Sequence, residues 1–403
     1  LLPPPVSATD DGMSRFCRIL SLPMWLIVAA VHAETRTWTL PGGRTIRAEL
    51  IDIRNGNAIL LPPNGNVEVE VPTPGMDPLD RAAVEGWVPP GRRGAGPNAE
   101  VQRSDTGWPL TVMLKEPPSV TIVEQDKERS RFVYRSDHFE FTSTQRLNAE
   151  IIREFGRLFE VTYEAVAALP LRIRPEPPRG YFKVQLYASE ASYRLAGGPE
   201  GSGGLFRGST GEVMVPLPNL GGVKSAADRW TMVSREGNQP LIHEVTHQVM
   251  GAWLSVLPVW VVEGSAEYLA AGRYSTGKLT LHPDFDNMAN FLRDYKGVEG
   301  RDIDIRHPMR LMVTDHEKWR RDLAGREGLK NYYSAMLLFY YFCHADGDGS
   351  GRGMIEYFKA RAVSKSPYDD TAERERYLLR GRDWKALWDD VSKAFAVRKY
   401  RVS

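Results

Sequence analysis

Hydrophobic and polar positions divide the chain into stretches of different period. Between residues 35 and 88 the apolar positions come in short bursts at Arg36–Thr39, Thr45–Ile53, Ala58–Leu61 and Val67–Val71. Pro41-Gly42-Gly43, Asn55-Gly56-Asn57 and the stretch from Pro62 to Asn66 separate them. Such turn chemistry predicts four strands, and Asp77–Trp87 adds one short helix. Pro89 to Asn98 is rich in glycine and proline, and a flexible linker is assigned to 89–110. Folded character resumes over 111–403. There Arg131–Thr142 alternates like a hairpin, with Phe139 and Phe141 on one face. Asn148–Ala168 repeats its apolar residues with helical period and closes before Pro170. Tyr181–Tyr187 reads as a strand. A glycine-rich loop from Gly201 to Gly211 leads into the strand Glu212–Val215, and helices dominate beyond Leu241. The expected architecture is multidomain: a small β-barrel, then an α+β domain with a mostly helical C-terminal part.

Composition narrows the class without deciding it. With 42% hydrophobic and 26% charged residues the chain is of ordinary globular type. A net charge of +1 supplies no general attraction to nucleic acid or acidic lipid, so neither partner is expected. Met13 is followed by Arg15 and Arg18, then by an apolar run from Ile19 to Val31 ending in Val31-His32-Ala33. Residues 13–33 thus have the form of a secretory signal, cleaved after Ala33, with Leu1–Gly12 upstream of the start. A permanent membrane anchor would need about 20 apolar residues, and this run is shorter; an uncleaved anchor is the alternative. Export to the periplasm, cell surface or exterior follows. Cys17 leaves with the signal, and the remaining Cys343, in an apolar run, is expected to be a buried core thiol.

The chemistry concentrates in two segments. Leu241-Ile-His-Glu-Val-Thr-His-Gln-Val-Met250 holds His243-Glu244-x-x-His247. Residues four apart share one helical face, so both imidazoles can reach one metal ion. Glu244 is displaced by about 100° around the axis, beside the metal, where it can take a proton from bound water. Asn238 and Pro240 mark the helix start. The second segment, Pro258-Val-Trp-Val-Val-Glu-Gly-Ser-Ala-Glu-Tyr268, reads as another helix. Residues 248–262 leave room to turn back and set Glu263 opposite the histidines, giving the three ligands that a catalytic Zn2+ commonly keeps. Glu267, one turn on, either accepts a hydrogen bond from a ligand histidine or is a plain surface carboxylate. Asp346-Gly-Asp-Gly-Ser-Gly351 begins like a calcium loop, but Tyr357 stands where a bidentate Glu is required, so a turn between helices is expected. His138, His282, His307, His316 and His344 have no partners at ligand spacing and are expected to be structural or solvated.

His-Glu-x-x-His followed by Trp-x-x-Glu-Gly-x-Ala-Glu-Tyr resembles the gluzincin zinc metallopeptidases, and within them a bacterial peptidase-MA-like family of undefined substrate. The resemblance runs from about Tyr134 to the C-terminus and implies a zincin-like fold with Glu263 as third ligand. In the related aminopeptidases the spacer before this ligand is slightly longer. Asn331-Tyr-Tyr-Ser-Ala-Met-Leu-Leu338 resembles the helix that carries an oxyanion-binding tyrosine, which falls on Tyr332; the alternative is an aromatic core helix. Gly204–Val215 stands where gluzincins keep a substrate-pairing edge strand. Residues 35–88 resemble the Sla-one homology domain, an SH3-like barrel, through Arg36-Thr37-Trp38-Thr39, the segment Asn57–Val71 and the Asp80–Glu85 helix. That likeness implies a short-peptide or protein partner for the barrel. The function expected is hydrolysis of a peptide or protein substrate, with Glu244 assisting water on zinc. An idle peptidase fold that only binds, and a gluzincin hydrolase of non-peptide substrates, are the alternatives, and endo- versus exopeptidase action stays open.

Overall fold

The computed structural model describes residues 35–54, 57–63, 68–85, 98–177, 180–219, 223–226, 229–232, 238–281, 285–323, 328–364 and 369–403. The export signal assigned to 13–33 lies outside them. No helix among the described residues is long and apolar enough to cross a membrane.

The N-terminal unit is a four-stranded antiparallel sheet in chain order: β1 (Arg36–Thr39), β2 (Thr45–Arg54), β3 (Asn57–Leu61) and β4 (Val69–Pro72). Helix α1 (Pro78–Glu85) follows. Trp38, Leu60, Val71 and Val84 close a small core of its own. Trp38 lies across β2, its indole N–H donating to the Ala48 carbonyl at 2.8 Å. Asp80 of α1, buried, accepts from the Thr39 amide at 2.6 Å and pairs with Arg36, fastening helix to sheet.

The linker ends earlier than its composition suggests. Residues 98–110 belong to a folded sheet, formed by β5 (Ala99–Arg103) and β6 (Pro109–Leu114) in antiparallel register, Val101 opposite Val112. The turn Asp105-Thr106-Gly107 interrupts the pattern, and the strand that completes the sheet comes from residues 278–280, so no local apolar run marks the segment. Trp108 between the two strands is wholly buried and donates to the Ser350 carbonyl at 3.0 Å.

The central six-stranded sheet holds β7 (Thr121–Asp126), β8 (Arg131–Arg135), β9 (Phe139–Ser143), β10 (Phe182–Tyr187), β11 (Leu205–Arg207) and β12 (Glu212–Pro216), in the order β11-β12-β10-β9-β8-β7. β9, β10 and β12 are parallel, and β11 is an antiparallel edge. Parallel neighbours need a long crossover. Between β9 and β10 it is α2 (Ala149–Ala168), whose first turn is capped by Asn148 Oδ1 accepting from the Ile151 amide. Phe139 and Phe141 on the sheet meet Phe159 of α2 edge to face, Phe159 meets Phe155 in the same way, and Phe182 lies tilted against Phe139. The short α3 (Glu190–Leu195) and the hairpin β13 (Val223–Ala226) with β14 (Arg229–Met232) complete this half.

The rest is helical, apart from small strands. α4 (Gln239–Val249) packs on α2, and α5 (Val259–Ala270) lies between α4 and α9. β15 (Arg273–Ser275) and β16 (Lys278–Thr280) join β6, and then come α6 (Asp286–Lys296), β17 (Asp302–Ile303), α7 (Pro308–Met312), α8 (His316–Leu323) and α9 (Gly328–His344). α10 (Arg352–Ala362), α11 (Thr371–Glu373), α12 (Trp384–Val397) and β18 (Arg401–Val402), which pairs with β17, end the chain. Every residue of α5 is buried, as suits a helix apolar almost all round. It lies so close to α9 that a Cβ on Gly264 would stand 2.5 Å from the Ala335 carbonyl oxygen. Asp346, at the turn after α9, is a buried acceptor for Arg380 and Arg382 and binds helices together. Cys343 is buried in the core, and burial pushes its thiol pKa up.

Two expectations follow from this packing. Gly264→Ala forces the α5–α9 crossing apart and should cost roughly 1–3 kcal/mol in denaturant unfolding, as overpacking does; unchanged stability would show that the close approach is not required. His344 is buried between Trp108 and Tyr268, and burial, then Arg398, hold its pKa down to about 3. The unfolded chain protonates this side chain near 6.5 while the folded one refuses the proton. Stability is therefore complete above about pH 6.5 and falls towards pH 3, by at most about 1.4 kcal/mol per pH unit. His344→Gln should flatten that slope in thermal melts at pH 7 and pH 4.5.

Candidate metal centre

Helix α4 brings its two histidines to one face because they stand four residues apart. Pro240 sits in its first turn, and Thr246 Oγ1 donates back to the Ile242 carbonyl at 2.7 Å. Gln248, on the far side, donates to the carbonyls of Lys183 and Gly211, both at 2.8 Å. The side-chain amide thus staples α4 to the central sheet between β10 and the start of β12. After the turn through Pro258, α5 returns and presents Glu263 to the histidines.

The three ligand atoms form a small triangle. His243 Nε2 and His247 Nε2 are 3.0 Å apart, and Glu263 Oε2 is 3.4 and 3.3 Å from them. All three side chains are buried. Zinc bonds of about 2.0–2.1 Å at tetrahedral angles set ligand atoms about 3.3 Å apart. The triangle therefore fits one tetrahedral ion with its fourth position open. Glu263 Oε2 is buried and meets only the two imidazole nitrogens, in long contacts of poor hydrogen-bond geometry, a cost that a cation at the centre of the triangle would relieve.

Electrostatics agree. Burial opposes a charge on His243, but hydrogen bonding to Glu263 and then Glu267 outweighs it and lifts the pKa to about 10. Burial likewise opposes ionised Glu263, yet the charge of His247 and its bonds to both histidines hold it far below the ordinary range. The same negative surroundings would favour a divalent cation that displaced this proton.

Glu267 is buried, not a surface carboxylate, and its Oε1 lies 3.3 Å from His243 Nδ1. Lys296, at the end of α6, donates to the same oxygen at 2.9 Å. Burial works to raise the Glu267 pKa, but Lys296 and then His243 bring it down to about 2. The carboxylate orients the ring so that Nε2 faces the triangle. Lys296 sits far along the chain with no spacing to betray it.

Glu244 stands beside the triangle, its Oε2 accepting from the backbone amide of Phe206 at 2.6 Å. Phe206 belongs to β11, the edge strand, so the sheet edge holds this carboxylate. Gly204 allows the approach, since a Cβ there would lie 3.3 Å from Glu244 Cγ. Tyr332 is buried on α9, its ring 6.1 Å from that of His243 and edge-on to Trp319. These residues line one cleft, together with the face of α8 made by His316, Trp319, Arg320 and Leu323. His316 is thus neither buried structure nor bulk solvent but cavity wall, and burial holds its pKa below the ordinary histidine value against the pull of Glu263. A second cleft shares Gly204, His243, Glu244 and Tyr332 with the first and extends towards Gln239, Phe291 and Lys296.

No protein-family model, curated protein or solved structure matches the chain. Sequence spacing brings in His243, Glu244, His247, Glu263 and Glu267, and Tyr332 enters only through the family resemblance; Lys296, Phe206 and the α8 wall come from elements distant in sequence. The i, i+3, i+4, i+7 spacing along α8 was the one available signal for a fourth helical face.

Glu267→Gln and Lys296→Met each disturb the orientation of His243 without touching a ligand atom. Each should weaken zinc affinity by about 10–100-fold in a competition titration. Wild-type affinity in both would show that the Lys296–Glu267–His243 chain does not support the metal.

Proposed function

We propose that the chain is an exported zinc-dependent metallopeptidase of gluzincin type, with His243, His247 and Glu263 as ligands and Glu244 as catalytic base. On this reading residues 111–403 form a zincin-like domain, to which β5 and the start of β6 now belong. The N-terminal sheet is an SH3-like barrel of the Sla-one homology type that takes a short-peptide or protein partner. The observation that carries the proposal is the ligand triangle, sized for one tetrahedral ion, with a carboxylate held beside it in a single cavity.

Two nitrogens and one carboxylate oxygen suit zinc, which keeps three protein ligands where it acts catalytically. Bound zinc supplies Lewis acidity towards water and the scissile carbonyl. The chain's own residues then have distinct tasks. The Phe206 amide anchors one oxygen of Glu244, which restricts where the other can sit. That second oxygen, Oε1, takes the proton of the attacking water and delivers it to the departing amine. The Tyr332 phenol faces the negative charge that develops on the carbonyl oxygen. Glu267 and Lys296 keep His243 in place.

Purified chain is expected to hold about one zinc, removable by a strong chelator with loss of hydrolysis of mixed peptides. Glu244→Gln should keep the metal and lose about 10²–10⁴-fold in turnover. His247→Ala should lose both. Full activity in Glu244→Gln, or wild-type protein without a tightly held transition metal, would sink the proposal; metal at full occupancy with no peptide cleaved would favour a binding role.

A further inference from the structure

Three segments of the chain line both clefts at the metal centre, and each passes from one cleft to the other in the same sense. On α4, Gln239 and Pro240 line the second cleft, His243 and Glu244 both, and His247 the first. On α5, Ala270 and Glu267 line the second cleft, Glu263 and Val259 the first. In the loop before β11 and in the strand itself, Ser202 and Gly203 belong to the second, Gly204 to both, and Leu205 and Phe206 to the first. α4 and α5 run antiparallel here, since His243 meets Glu267 at 3.3 Å and His247 meets Glu263 at 3.3 Å. The three changeovers therefore fall at one level. The two clefts are the arms of one trough that passes the ligand triangle.

Helix geometry sets the length of each arm. From His243 back to Gln239 the second arm runs about 6 Å along α4, and from Glu263 back to Val259 the first arm runs about 6 Å along α5, in the other direction. An extended peptide advances about 3.3 Å per residue, so each arm takes about two residues. Both arms carry apolar side chains: Val259, Trp319 and Leu323 in the first, Ala270, Phe291 and Leu329 in the second. Both also meet solvent. Leu205 and His316 are only half-buried in the first arm, as are Gln239, Pro240 and Leu329 in the second. A site that trims one end of a peptide closes off one of its two sides, whereas here room lies on both.

We propose that the trough holds an extended polypeptide on both sides of the bond that is cut, about two residues in each arm, so that the chain acts on internal bonds as an endopeptidase. This rests on the peptidase reading above and adds to it the class of substrate: extended segments in the interior of a chain, with no demand for either terminus. Binding energy is spread over both arms. A substrate that leaves one arm empty forfeits that share, in turnover as well as in affinity.

The test uses zinc-loaded full chain and quenched peptides of one sequence, made with free ends, an acetylated N-terminus, an amidated C-terminus, or both ends blocked. Mass spectrometry reads the bonds that are cut. Across the four forms kcat/KM should stay within about threefold, with cuts in the interior. A larger loss on blocking an end, or release of single residues from an end, overturns the proposal. Shortening the peptide to one residue on either side of the bond should cost roughly tenfold or more, and an unchanged rate on either side overturns the arm assigned to it. Leu329→Trp narrows the second arm. It should slow the full-length peptide while leaving one of the two shortened peptides within about threefold of its wild-type rate; equal losses with all three count against the two arms. Should no peptide be cleaved, the peptidase reading fails separately. Calorimetry with zinc-loaded Glu244→Gln then decides: equal affinity for free and doubly blocked peptides, weakened by shortening on either side, upholds the trough. A need for a free end, or no binding at all, overturns it.

Discussion

A carboxylate buried against two imidazole nitrogens is the constraint around which this domain is built. Removing a charge from water costs several kcal/mol unless matching charge or hydrogen bonds replace the lost hydration. Glu263 is placed on a helix whose every residue is buried, so its surroundings must answer that cost. Rigidity follows from the need. α4 is stapled to the central sheet by Gln248, and α5 is pressed on α9 through Gly264. The ligand atoms of two helices are thereby held near the separation that one ion requires.

Charge is managed in shells around that point. His243 is held by Glu267, Glu267 by Lys296, and the Lys296 ammonium lies 5.6 Å from the centre of the Tyr332 ring. Each group offsets part of the charge of the one inside it. The low dielectric of the interior strengthens every member of such a chain, and makes an unmatched member costly. A similar economy appears at Asp346, where an acidic turn with the look of a calcium loop instead receives two arginines from the segment after α11.

Local patterns made much of this legible in advance. Helical spacing within Leu241–Met250 and Pro258–Tyr268 encodes which side chains share a face, and the close grouping of His243, His247 and Glu263 is the result. The strands from Arg36 to Pro72 were legible because their turns are made of Gly, Asn and Pro. What stayed hidden depends on partners remote in sequence. Residues 99–110 look like the end of a linker, because the strand that completes their sheet arrives only at 278–280. His316 reads as structural or solvated in a segment of charges, yet the fold of α8 turns one face of that segment towards the cleft. Lys296 has no periodic signal at all; tertiary packing alone brings it to Glu267.

The Glu-Gly pair at 263 and 264 reads in the sequence as one chemical signature, but its two halves answer to different demands. On the proposed reading the carboxylate serves the ion, whereas the hydrogen in place of a side chain at 264 answers to the carbonyl of Ala335 and the side chain of Phe339 across the helix crossing. Natural drift should treat them differently. A descendant that abandoned metal chemistry could exchange the acid freely, while the glycine would persist for as long as the two helices stayed in contact. A lone glycine at this place would then be the fossil of a retired centre.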